Sequence, residues 1–131
     1  MARLSEQERA RNALEAVKRW EKQPKKSEYR QELQSLPSRI LAGGLGQTLA
    51  FYASKAGTEG KGVEADIGNE LARFLSGKPK LLELLDEIVQ RYDLAEYRRK
   101  TREALAYAEW LKRYAAALLP KPDESRRTEG S

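Results

Sequence analysis

Neither cysteine nor histidine occurs in this 131-residue chain. Without cysteine there are no disulfides, no thiolate nucleophiles and no zinc–thiolate sites, and a reducing compartment fits. Without histidine the commonest general base and the commonest metal ligand are lost together. Long apolar runs are also missing: no stretch approaches the roughly 18 uncharged residues of a membrane-spanning helix. The opening Met1-Ala2-Arg3-Leu4-Ser5 lacks the apolar run of a signal peptide, which predicts a cytoplasmic protein. No unit recurs at the period of a helical repeat array, so a solenoid is not expected.

What remains is charge and helical spacing. Lys and Arg number 25 against 20 Asp and Glu, for a net charge of +5. Such a surface suits a polyanionic partner without being diagnostic of one. The length suits a single domain, and the spacing throughout predicts an all-α fold, a single compact bundle of five to six helices over residues 1–120. Pro120 and Pro122 stop the last helix, and the polar remainder, 121–131, is expected to be a disordered tail.

Ser5-Glu6-Gln7-Glu8 has the form of a capping box, and behind it Ala10, Ala13, Leu14, Val17 and Trp20 share one helix face. A second helix is expected from Ser27-Glu28, with Tyr29, Leu33, Leu36 and Ile40 inward. Pro37 falls inside that pattern and predicts a kink or break. Gly43-Gly44 closes it, and Leu45, Leu49, Tyr52, Ala53 and Ala56 define a third helix ending at Gly57. Val63, Ile67, Leu71, Phe74 and Leu75 give a fourth, stopped by Gly77. Pro79 suits the first turn of a fifth, with Leu81, Leu82, Leu84, Leu85, Ile88 and Val89 facing inward. Asp93 caps the last helix, whose seam reads Leu94, Tyr97, Thr101, Ala104, Ala108, Leu111, Ala115 and Leu118.

The charge is distributed unevenly. Residues 1–30 hold nine Lys/Arg against five acids, residues 91–113 hold seven against four, and residues 61–90 reverse to four against six. On the first helix Arg11, Lys18 and Lys22 fall seven and four residues apart. On the last, Arg98, Arg99 and Arg102 cluster, and Lys112 and Arg113 recur further on. These eight cations are the candidate nucleic-acid contacts, because a line of positive side chains matches a line of phosphates and releases its counterions. The competing reading is a solvated face with charge pairs such as Glu15–Lys18, which contribute little.

Other constellations carry less. Gly43-Gly44-Leu45-Gly46-Gln47-Thr48 superficially resembles a phosphate loop, but a Walker loop needs Lys where Gln47 stands, and the dinucleotide fingerprint needs Gly where Leu49 stands. A cap and a close helix approach explain the glycines better. Gln47 and Thr48 would open the recognition helix of a helix-turn-helix regulator, yet the run that follows is as apolar as a core. Glu83, Asp86 and Glu87, with Glu64, Asp66 and Glu70 nearby in sequence, read as a solvated acidic face rather than a metal or acid–base site. No Ser has a partner base. Tyr107, Trp110 and Tyr114 sit beside the seam, as peripheral core or a docking surface. No cofactor, metal or small-molecule substrate is expected, and no catalytic set.

Two blocks together resemble a known family. They are Leu36-Pro37-Ser38-Arg39-Ile40 with Gly44-Leu45-Gly46-Gln47-Thr48-Leu49-Ala50-Phe51, and Thr101-Arg102-Glu103-Ala104-Leu105-Ala106-Tyr107 with Trp110-Leu111-Lys112-Arg113-Tyr114-Ala115. In order, separation and helical context they are similar to the small α-helical subunit of the type III-B CRISPR effector, the Cmr RNA-silencing complex. The likeness covers about residues 3–118. It departs at Ala108 and Tyr114, where a larger aliphatic and a Phe are usual, and at Gly43, where a polar residue is more common. The resemblance implies a non-catalytic subunit of an antiviral ribonucleoprotein. It implies copies stacked as a short filament along the groove where guide RNA and target RNA pair, in contact with other Cmr subunits. A helix-turn-helix DNA-binding regulator and a protein-only scaffold are the alternatives.

Overall fold

A computed structural model describes residues 5–122, and among them every regular element is a helix. There are five: α1 (Glu6–Glu21), α2 (Lys26–Ala56), α3 (Val63–Ser76), α4 (Leu81–Arg91) and α5 (Leu94–Leu118). The expected tail lies outside the described residues from 123 onward. The chain divides into two compact units, one of residues up to Pro37 together with those from Ala106, the other Ser38–Leu105. Helices α2 and α5 each contribute to both.

In the first unit, α1 begins as its capping residues require. The Ser5 side chain accepts a hydrogen bond from the Glu8 amide at 3.0 Å, satisfying one of the donors that a helix start leaves open. Of the expected face Ala13, Val17 and Trp20 are buried and Ala10 and Leu14 half-buried, and Ala16 is buried beside them. Trp20 stacks on Tyr29 of α2, with ring centroids 5.4 Å apart and planes inclined 18°. Leu33 and Leu36 are buried beside them, as are Tyr107, Ala108, Leu111, Ala115 and Leu119 from the α5 end of the chain. Each large aliphatic side chain so enclosed contributes about 1.5–3 kcal/mol relative to exposure. Gln34 donates from Nε2 to the Lys112 carbonyl at 3.0 Å, tying α2 to α5 within this unit.

Pro37 does not break its helix. The one residue of α2 with non-helical backbone angles is Gly44, at φ 81° and ψ 171°. Proline removes a single donor and costs its helix a bond, whereas this φ/ψ combination is open almost only to glycine and redirects the chain. The interruption therefore falls at the glycine pair expected to close the helix.

In the second unit, Val63, Ile67, Leu71, Phe74 and Leu75 of α3 are buried together with Ile40, Leu45, Leu49 and Tyr52 of α2. Gly77 ends α3 with φ 74°. Helices α3 and α4 approach closely at Gly68, where an added Cβ would stand 2.6 Å from Leu81 Cδ2. Lys80, the N-cap of α4, supplies no side-chain hydrogen bond. Asn69 of α3 fills the role instead, its Oδ1 accepting from the Leu81 amide at 2.8 Å. Pro79 thus stands before the helix, not in its first turn. Lys100 of α5 donates to the Leu75 carbonyl at the end of α3, where the helix dipole favours a cation.

Two expectations about inward faces are corrected. Leu82 and Val89 are exposed, and so is Leu94 at 62%. A short helix at the edge of a unit buries one stripe, and Leu81 and Leu84 already occupy it. Leu94 lies in the first turn of α5, which leaves it in solvent.

Candidate nucleic-acid interface

The eight candidate cations divide between the two units. Arg11 and Lys18 project from α1, and Lys22 is its C-cap. All three are exposed. Steps of seven and four residues return to one face of a helix, so the stripe is real. It is also interrupted, because Glu15 lies on the same face between Arg11 and Lys18 and is equally exposed. The expected Glu15–Lys18 pair does not form among the described residues. Within the same unit Arg113 is exposed and Lys112 half-buried, its backbone carbonyl engaged by Gln34.

Arg98, Arg99 and Arg102 belong to the second unit and are all exposed. Arg98 and Arg102 are four residues apart, hence one turn apart on one face of α5. Neither has a hydrogen-bond or ion-pair partner among the described residues. Arg99 differs. Its guanidinium binds the Glu96 carboxylate in fork fashion, Nη2 to Oε1 at 2.6 Å and Nε to Oε2 at 3.1 Å. The hydrogen bonds from Arg99 to Glu96, and then the Glu96 charge, raise the Arg99 pKa above its ordinary value. Of the three arginines, two present uncompensated charge and the third is neutralised in place.

Cations also gather outside those eight positions. The Arg39 guanidinium lies over the Phe51 ring at 4.3 Å from its centroid, and the Lys55 ammonium lies 5.6 Å from the same ring. Phe51 and Lys55 are one turn apart, but Arg39 reaches them across the break at Gly44, so no simple spacing rule relates all three. Arg73, by contrast, is paired with buried Glu70 at 2.5 Å, a structural contact.

The glycine-rich segment serves the fold. The Gly46 amide donates to the Tyr97 hydroxyl at 2.8 Å. A Cβ on Gly44 would stand 2.9 Å from that oxygen, and one on Gly46 3.3 Å. The small residues therefore seat Tyr97, and no phosphate cradle is formed. Thr48 is 3% exposed and its hydroxyl donates to the Gly44 carbonyl at 2.8 Å. A side chain so enclosed has no access to base edges, which removes half of the helix-turn-helix pair Gln47–Thr48.

The acidic residues do not converge. Among the described residues no three Asp or Glu side chains are grouped so as to hold a metal ion. The aromatic group of α5 splits: Tyr107 is fully buried, while Trp110 and Tyr114 are half-buried and stacked, centroids 5.7 Å apart. The Trp110 indole donates to the Glu6 carboxylate.

With this geometry in place, comparison with known proteins decides the family. The pattern of the CRISPR-associated protein (Cas_Cmr5) family matches residues 5–118. The chain belongs to the Cmr5 family. A relative from Thermus thermophilus, the CRISPR system Cmr subunit Cmr5, is 39% identical over 110 residues, covering 84% of this chain and 91% of the relative. The crystal structure of a Cmr5 family protein from the same organism superposes with a TM-score of 0.78 at 38% identity. It covers 90% of this chain and all of that one. The two blocks that carried the resemblance contain Gly44, Gly46 and Thr48, which form the Tyr97 seat and the Gly44 break, and Tyr107 and Leu111, which are buried. Much of what carried the resemblance is thus packing. Ala108 is fully buried.

Proposed function

We propose that the chain is a non-catalytic structural subunit of a CRISPR Cmr effector, and that it places positive charge beside RNA while other subunits perform any bond cleavage. Its partners are other Cmr subunits, further copies of itself, and the paired guide and target RNA. Membership of the Cmr5 family supports the first part. The observation that carries the second is Arg98 and Arg102: exposed, one turn apart on α5, and without carboxylate partners among the described residues. Contacts of this kind position a phosphate backbone and read no sequence. Arg11, Lys18, Lys22, Lys112 and Arg113 are the secondary candidates, weakened by Glu15 within the α1 stripe and by the partial burial of Lys112. Copies stack head to tail through opposed acidic and basic surfaces, a heterologous contact that generates filaments.

The test is the assembled complex carrying Arg98→Glu, Arg99→Glu and Arg102→Glu together. Target RNA binding weakens and the isolated fold is unchanged. Full retention of target affinity by the triple variant contradicts the RNA reading and favours a protein-only scaffold.

A further inference from the structure

The outward face of α4 carries an apolar stripe among charged residues, and nothing in the RNA contact uses it. Leu82 and Val89 are 63% and 73% exposed, and Leu85 between them is half-buried. These three recur at three- and four-residue steps, so they form one continuous stripe beside the buried face of Leu81 and Leu84. Next to Leu82 the surface dips into a small hollow lined by Ala53, Ala56, Gly57, Ala65 and Leu81 together with the polar Asn69 and Lys80. Single exposed leucines are ordinary on a protein surface. A stripe that leads into a largely apolar hollow is the mark of a contact surface.

Charge selects the occupant. Helix α4 carries Glu83, Asp86 and Glu87 against Arg91 alone. Asp86 lies four residues after Leu82 and three before Val89, so it borders the stripe directly. Glu83 and Asp86 are exposed, and neither has an ion-pair partner among the described residues. Two copies meeting face to face here would set acid against acid, and the basic faces of α1 and α5 that a head-to-tail copy would bring carry no stripe of exposed large apolar residues. The other exposed large apolar residues described, Leu41 on α2 and Leu94 on α5, are single positions, and α1 has none. A second copy therefore offers no matching stripe.

We propose that Leu82, Leu85 and Val89 dock an amphipathic helix of a different protein chain, one whose apolar stripe is edged by Lys or Arg. Within the proposed function that chain is another subunit of the effector, and the inference rests on that reading. The partner's apolar side chains lie along the α4 stripe, one of them enters the hollow beside Leu82, and its cations meet Glu83 and Asp86.

The test places a photoreactive benzoyl-phenylalanine at Val89, and as control at exposed Ala116, in the assembled complex. The expected cross-link runs from position 89 to a different subunit, in a segment of net positive charge with apolar residues every three or four positions. In competition for assembly, the chain carrying Leu82→Ser and Val89→Ser is incorporated at least tenfold less than the unaltered chain, with its helical circular dichroism unchanged. Cross-links only to a second copy or to RNA, none above the Ala116 control, a target segment without positive charge, or equal incorporation each overturn the proposal. The cross-link from position 89 reads docking and target RNA affinity reads phosphate contact, so failure of the docking and failure of the RNA reading are told apart.

Discussion

Gly44 carries more of this structure than its size implies. Its φ of 81° and ψ of 171° lie where only glycine is comfortable, and Tyr97 fills the space a Cβ would need. Gly44→Ala is expected to cost about 1–3 kcal/mol from backbone strain alone. The cost is measured as a lower midpoint in urea with an unchanged slope. Tyr97→Phe leaves the ring and removes only the bond to the Gly46 amide, so a smaller loss, about 0.5–1.5 kcal/mol, follows. Equal stability of Gly44→Ala and the parent would remove the steric account.

Tyr92 gives a pH signature at the same scale. Burial, and then the charges of Glu87 and Glu96, push its phenol up from 10.0 to about 12. In the unfolded chain the group ionises first, so the folded state holds a proton that the unfolded state has lost between those two values. Stability is complete below about pH 10 and declines as pH rises toward 12. The stability difference between the parent and Tyr92→Phe should therefore change across that window and be flat at neutral pH. A parallel pair of profiles from about pH 9 to 12 would show that Tyr92 titrates normally.

At the level of elements, α4 depends on a cap from outside itself. Asn69 on α3 takes the bond that Lys80 cannot provide. Asn69→Ala is expected to cost about 1 kcal/mol, as losing an N-cap does elsewhere, and to speed hydrogen exchange at the Leu81 amide. Unchanged exchange there would show that the amide is protected by other means. The helices themselves were legible from residue spacing: the Ser5 cap, the buried face of α3 and its stop at Gly77 follow from local rules. The cap at Asn69 was not, because twelve residues separate it from Leu81 and no periodicity links them. The outward turn of Leu82 and Val89 was equally hidden. An apolar residue on a short helix looks the same in sequence whether a core or another protein covers it.

For the whole molecule, the charge pattern was visible in composition, yet its usable part depended on pairing. Arg98, Arg99 and Arg102 are indistinguishable as letters. Only the fold shows Glu96 closing on Arg99 while its neighbours stay uncompensated. The single variants are accordingly ordered: Arg98→Ala and Arg102→Ala each weaken target binding by the complex more than Arg99→Ala. The resemblance rested on residues such as Gly44, Gly46 and Tyr107, whose work is internal, and so it does not say which surface would meet RNA.

The most direct measurement is the salt dependence of target RNA binding by the assembled complex, with the unaltered subunit and with Arg98→Glu, Arg99→Glu and Arg102→Glu. Each phosphate contact contributes about 0.7–0.9 to the slope of log affinity against log salt, so losing those of Arg98 and Arg102 should flatten it by about 1.4 to 1.8 for every copy engaged. Identical slopes, with the variant fully incorporated, would contradict the claim that this helix face holds charge against the RNA.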